Sequence, residues 1–272
     1  MTQAASRKDD VLFSVSNLSV QKGELCLLED VSFMIRRGSF VGLIGPNGAG
    51  KSTLLRCLYR YLSPSHGEIC YAGVSLSALS LKHFSQSVAV VLQEVANDFN
   101  LVVEDVVLMG RTPHKPLFSA LSSHDKQLAH DALVAVGLID KVHQTYMQLS
   151  GGEKQRVMIA KAMVQQPELL IMDEPTSHLD VKYQIQIMEL AKAMQVTVLA
   201  SFHDLNLAGA ICDELLVLKK GKLVASGKPL EVITETTLSE VFAVCAHVEA
   251  VACQFANAAH KIPHIRYFYG YR

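Results

Sequence analysis

Gly45-Pro46-Asn47-Gly48-Ala49-Gly50-Lys51-Ser52-Thr53 has the form G-x-x-x-x-G-K-S. Glycines at this spacing let the backbone curl so that several N–H groups face one anion, and the helix that follows adds its positive end. Lys51 then reaches the β- and γ-phosphates of a nucleoside triphosphate, and the Ser52 hydroxyl reaches Mg²⁺. Further along, Leu169-Leu170-Ile171-Met172 runs straight into Asp173-Glu174. A buried strand that delivers two acids to its tip suits a cation or a proton-transfer role. Asp173 is the candidate Mg²⁺ partner, and Glu174 the candidate to orient and activate an attacking water. The plainer alternative is a solvated turn at a strand end, continued by Pro175.

Ser150-Gly151-Gly152-Glu153 is a capping box, S-x-x-E, in front of a helix expected to run to about Val164. Capping alone does not ask for two glycines in the first turn, because glycine lowers helix stability. Two glycines there make sense where a bulky anion must approach the backbone amides.

The surrounding elements must hold these residues in place. Short apolar runs alternate with helical patterns, which predicts an α/β fold with a mostly parallel sheet. The expected buried strands are 40–44, 88–92, 169–172 and 196–200, and a helix is expected from Lys51 to about Leu62. The runs end respectively at the phosphate loop, Gln93, Asp173-Glu174 and, shortly after the last, His203. In parallel sheets ligands sit beyond the carboxyl ends of strands. Helical patterns over 103–109 and 123–136, the latter stopped by Gly137, predict a helical subdomain over about 95–165. Residues 1–10 read as a flexible tail, 11–235 as the main domain and 236–272 as a short C-terminal extension with a helix near 237–244.

Bulk properties limit the classes. The chain has 272 residues, 50% apolar and 19% charged, with a net charge of −1. That suits one large domain and gives no basic face for nucleic acid. Polar residues interrupt every apolar stretch before it reaches the 18 or so needed to span a bilayer, so the chain is not expected to cross a membrane by itself. The six cysteines, at 26, 57, 70, 212, 245 and 253, form no C-x-x-C pair and read as reduced thiols.

Taken together, these motifs resemble the ATP-binding-cassette (ABC) family over roughly residues 12–235. Leu149 to Arg156 matches the signature L-S-G-G-E/Q-x-Q-R, with Gln155 and Arg156 both matching. The resemblance implies a P-loop NTPase core of RecA-like type, an antiparallel β part near the N-terminus and an inserted α-helical subdomain. It implies ATP and Mg²⁺ as cofactors, with Gly45–Thr53, Ser150, Gly151, Gly152, Glu153 and Asp180 binding nucleotide and Ser52, Gln93 and Asp173 on the metal. Gln93 is placed as the glutamine that touches Mg²⁺ and water and senses the membrane partner. Asp180, in Ser177-His178-Leu179-Asp180, is placed in the loop that contacts the opposite subunit, and His203 as the histidine on the γ-phosphate. Lys22 stands where the family usually has an aromatic residue for adenine.

The resemblance further implies a homodimer of ATPase subunits at the cytoplasmic face of the inner membrane, working with separate permease subunits and indirectly with a substrate-binding protein. Gly110-Arg-Thr-Pro-His114, His203–Ala208 and Gly221–Thr234 look like the ATPases of importers for ferric siderophores, haem and cobalamin, taken in that order of preference. A cassette ATPase acting on nucleic acid or ribosomes is the competing class. The C-terminal Cys245, His247, Cys253, His260 and His264 raise a metal-sensing site, although their spacing matches no zinc pattern.

Overall fold

The computed structural model describes residues 10–92, 100–116, 119–177, 179–252 and 261–268. The chain folds into two compact units, one built from the residues up to Ala78 and from Leu199 onward, the other from Leu79–Val198. The first unit opens with β1 (Val11–Lys22), β2 (Leu25–Arg36), β3 (Phe40–Ile44), α1 (Lys51–Leu58), β4 (His66–Tyr71) and β5 (Val74–Ser75). The second contains α2 (Leu81–Ser87), β6 (Val88–Val91), α3 (Val103–Leu108), a 3-10 turn (Met109–His114), α4 (Ser123–Ala135), α5 (Gly151–Gln165), β7 (Leu169–Met172) and α6 (Val181–Ala193). Strand β8 (Thr197–Ser201) begins in the second unit and ends in the first. The first unit then closes with α7 (Leu205–Ile211), β9 (Glu214–Lys219), β10 (Lys222–Gly227), α8 (Pro229–Val232), α9 (Glu235–Phe242), β11 (Ala246–Ala252) and β12 (Lys261–Tyr267).

In the first unit, β2-β1-β4-β5 form an antiparallel sheet. Along β2, Val31, Phe33 and Ile35 are buried while Ser32, Met34 and Arg36 are exposed, the period of two expected of a strand with one face on a core. Strand β3 is buried at all five positions, as a strand covered on both faces should be. It pairs in parallel with β9, from Val41 opposite Glu214 to Ile44 opposite Val217, and β10 adds an antiparallel edge to β9. The end of β8 lies along β3, with the Phe202 N–H donating to Leu43 O at 3.0 Å. Helix α1 stops at Leu58, short of the expected Leu62. Arg60 takes a left-handed conformation with φ 63°, and the N–H groups of Tyr61 and Leu62 both turn back to Arg56 O, which satisfies a carbonyl at the helix end and closes it.

The C-terminal segment is a two-stranded ribbon, Ala246 opposite Tyr267 through Ala252 opposite Lys261. Asn206 of α7 ties it down. The Ile265 N–H donates to Asn206 Oδ1 at 2.7 Å, and Asn206 Nδ2 donates to Ile265 O at 3.3 Å. The expected helix near 237–244 is α9, which starts two residues earlier because Thr234 caps it through the Thr237 N–H at 3.1 Å.

In the second unit, β6 and β7 pair in parallel from Val88 opposite Leu169 to Val91 opposite Met172. The start of β8 joins them through the Thr197 N–H on Glu168 O at 3.1 Å. Helix α5 packs against α3 and α4, burying Val157, Ile159, Ala160 and Val164. Its C-terminal end is clamped by charge. Arg111 Nη1 donates to Val164 O at 2.8 Å and Arg111 Nε to Asp125 Oδ1 at 3.0 Å. Lys115 pairs with the other Asp125 oxygen. Lys115 first, then the Ser122 hydroxyl and N–H and, least, Arg111 hold Asp125 far below the usual carboxylate range.

Candidate functional site

In the first unit, β3 delivers Gly45 at its tip and α1 begins at Lys51. Pro46, Asn47, Gly48, Ala49 and Gly50 form the turn between them, drawn together by the Ala49 N–H on Pro46 O at 3.1 Å. Gly45 has φ 155°, and a Cβ there would lie 2.3 Å from Leu218 O, so the loop closes only because this position has no side chain. Lys51 is buried, and its Nζ donates to Gly45 O at 2.8 Å and Pro46 O at 3.3 Å. The ammonium is therefore folded over the loop, where it faces the anion that the loop amides would hold. Ser52 and Thr53 occupy the first turn of α1. His203 follows β8, one residue beyond the pairing of Phe202 with Leu43. It is thus placed at the same strand end as the phosphate loop. The adjacent Asp204 caps α7 through the N–H groups of Asn206 and Leu207, at 2.8 and 3.1 Å.

In the second unit, β7 places Asp173 beside the end of β6, with the Asp173 N–H on Val91 O at 3.0 Å. Asp173 is buried. Glu174 adopts φ 49°, a left-handed backbone that is costly for a residue with a Cβ and is typical of functional turns. Ser177 Oγ donates to Glu174 Oε2 at 3.2 Å. Asp180 stands at the N-cap position of α6, yet its carboxylate makes no capping bond. Gln93 lies outside the described residues.

The expected capping box is present. Ser150 N–H and Oγ both donate to Glu153 Oε2 at 2.8 Å, and the Glu153 N–H returns to Ser150 Oγ at 3.4 Å. Lys141, which no motif had singled out, pairs with Glu153. The Lys141 ammonium first, then the Ser150 amide and hydroxyl, hold the Glu153 carboxyl down at about 2.

The two glycines turn out to do different things. A Cβ on Gly151 would have Leu179 Cδ2 as its near neighbour, at 4.0 Å, whereas a Cβ on Gly152 would meet the Tyr183 ring at 3.2 Å. Among the described residues a Cβ would thus have room at Gly151, whereas close packing accounts for the glycine at 152. Tyr183 was missed because a single aromatic in a helix carries no motif.

A family model described as "ABC transporter" matches residues 28–177. The chain belongs to the ABC transporter family. It is an ATP-binding, transport-coupled ATPase. It is 33% identical to the ferric enterobactin transport ATP-binding protein of Escherichia coli strain K12, covering 83% of this chain and 84% of that one. It is 39% identical to the cobalamin import ATP-binding protein of Halobacterium salinarum, covering 84% of this chain but only 58% of that one. A metal-chelate type ABC transporter solved in an inward-facing conformation superposes with a TM-score of 0.81 at 28% identity, covering 95% of this chain and 98% of that one.

The glycine cradle and the buried Lys51 fit the triphosphate of this family's ATP. Ser52 and Asp173 are hard oxygen donors, the kind that Mg²⁺ prefers. Among the described residues no group of three or more His, Cys, Asp or Glu side chains could hold a metal by itself. At the C-terminus, His247 pairs with Glu235 and His264 with Glu249, while Cys253 and His260 lie outside the described residues. Lys22 sits at the tip of the β1–β2 hairpin opposite Leu25. Among the described residues no helix is long and apolar enough to cross a membrane.

Proposed function

We propose that this ATPase powers uptake of a ferric siderophore through separate permease subunits fed by a substrate-binding protein, at the cytoplasmic face of the inner membrane. Two copies work head to tail, each phosphate loop facing the other copy's Ser150 turn. The observation that carries the two-copy reading is the Ser150 turn itself. Its capped helix end leaves Gly151 open to an incoming anion, and the chain has one such turn and one phosphate loop.

In this reading the Gly45–Thr53 amides and Lys51 bind the triphosphate. Ser52 and Asp173, with Gln93, hold Mg²⁺, which when bound draws charge off the β- and γ-phosphate oxygens. Glu174 orients the attacking water and accepts its proton, while His203 donates to the γ-phosphate. Ser150, Gly151 and Gly152 offer the positive end of α5 to the nucleotide of the opposite copy, with Glu153 bracing the turn. Asp180 meets the opposite copy alongside them. Closure moves the permease through the region around 95–115.

The ferric-chelate cargo is supported by the enterobactin relative and by the metal-chelate transporter. Haem or cobalamin import is the second reading, the cobalamin cargo supported by the halobacterial relative. The deciding experiment measures uptake of labelled ferric siderophore and of labelled cobalamin in cells carrying the subunit or Glu174→Gln. Loss of ferric uptake alone supports the proposal. Loss of cobalamin uptake alone moves the cargo to the second reading.

A further inference from the structure

We propose that Tyr183 is a positioning residue that holds the Ser150–Gly152 turn and the Asp180 turn at one fixed spacing. The proposal deepens the two-copy reading above and rests on it, since both turns are there assigned to the opposite subunit's nucleotide.

The contacts run from one turn to the other through the ring. Tyr183 lies in the first turn of α6, and its N–H donates to Asp180 O at 2.8 Å. The next residue secures the same turn, with Gln184 Nε2 donating to Leu179 O at 3.0 Å and Thr176 O at 3.3 Å. From this base the ring reaches α5. The three atoms nearest to a Cβ built on Gly152 all belong to Tyr183, Cγ at 3.2 Å and both Cδ atoms at 3.4 Å. The ring face therefore lies on the bare backbone of the first helical turn after Ser150. Arg156, one turn further along α5, places its guanidinium carbon 5.9 Å from the ring centroid. That guanidinium is itself anchored, Nη1 donating to Val136 O at 2.8 Å at the end of α4.

A glycine in a helix costs roughly 1 kcal/mol relative to alanine. An alanine at 152 would require the ring to give by a few tenths of an ångström, and the ring is carried by the helix turn that holds Asp180. Gly152 is buried beneath the half-buried ring, and a close-packed contact of this kind passes a shift on to the turn that carries the ring. Displacements of this order at a site assembled between two subunits act on closure and on the chemical step, while the phosphate loop of each copy is untouched.

The test uses the full-length subunit with Tyr183→Ala, Tyr183→Leu and Tyr183→Phe, each alone and with Glu174→Gln. Three quantities are measured: binding of a fluorescent ATP analogue, ATP-dependent dimerisation by sedimentation, and kcat and KM. Tyr183→Ala and Tyr183→Leu are expected to keep nucleotide binding and KM while kcat and dimer affinity fall on the order of tenfold. Tyr183→Phe keeps the ring and should restore both. Gly152→Ala should impair dimerisation in the wild-type background but add no further loss to Tyr183→Ala, because the space for its Cβ is then free.

Should Tyr183→Ala or Tyr183→Leu lower only the melting temperature, with dimerisation and kcat intact, the positioning role is overturned. Additive losses in the double variant overturn it as well. If Glu174→Gln alone forms no ATP-dependent dimer, the two-copy reading fails instead, and the two failures are told apart.

Discussion

Asp125 Oδ1 accepts from Arg111 Nε at 3.0 Å, with the two side chains only 2% and 10% exposed. Arg111 Nη1 donates to both Val164 O and Gln166 Oε1 at the end of α5. The pair thus locks the 3-10 turn at 109–114 to the helix whose opposite end is Ser150. Breaking a buried pair by neutralising one partner leaves the other charge uncompensated, at a cost of about 3–5 kcal/mol. Asp125→Asn is expected to lose that much stability, read by urea unfolding. A loss below about 1 kcal/mol, the range of exposed pairs, would show that the clamp is not structural.

Glu153 sets a pH dependence. Its carboxyl falls from the ordinary 4.5 to about 2 on folding. A carboxylate with a depressed folded pKa binds fewer protons folded than unfolded below the ordinary value. Its contribution is therefore complete above about pH 4.5 and lost as pH falls toward 2, in the same direction as that of Asp125. Lys141→Ala removes the largest cause, so the folded pKa rises toward 4.5 and the acid loss of stability should become smaller and end at a higher pH. Thermal melts from pH 5 to 2 would check this, and an unchanged profile would dismiss the Lys141 contribution.

Lys51→Ala should weaken ATP binding while leaving the fold largely intact, since Nζ is held by the loop carbonyls Gly45 O and Pro46 O and, in the proposed reading, by the triphosphate. The measurement is titration with a fluorescent ATP analogue beside a melting curve. A charge-assisted contact of this kind is worth about 1.5–3 kcal/mol, so affinity should drop by roughly tenfold to a hundredfold.

Glu174→Gln keeps the shape of the turn, including an oxygen for Ser177 Oγ, but gives up the base. Turnover should fall by about 10²–10⁴, the usual share of a general base, with ATP binding retained and the ATP-bound dimer longer-lived. Wild-type turnover in this variant would remove Glu174 from the role.

Ser150→Arg removes the helix cap, which costs about 1 kcal/mol, and fills the approach to Gly151. In the two-copy arrangement it disables the neighbour's nucleotide site. Mixing it with Lys51→Ala should recover activity from the one intact site of each mixed dimer. A mixture with no activity would argue against a shared site.

Much of this was legible in the chain itself, because it rests on contiguous chemistry. The glycines and Lys51 are one loop. Ser150 and Glu153 are three residues apart and satisfy each other. Strands β3 and β7 are unbroken apolar runs that could only be buried. Expected helix ends slipped where a left-handed residue such as Arg60 closed a helix that its side-chain pattern would have continued.

What only the tertiary structure decided depends on residues far apart in sequence meeting in space. Arg111 finds Val164 across 53 positions, and Asn206 finds Ile265 across 59; no periodicity or motif encodes either pairing. The glycine pair shows the division most directly. Two glycines after Ser150 announce that something must come close to that helix turn. That a Cβ would have room at Gly151 while a tyrosine ring fills the space at Gly152 follows from how α6 packs on α5, because the bulk that excludes a Cβ is supplied by another helix.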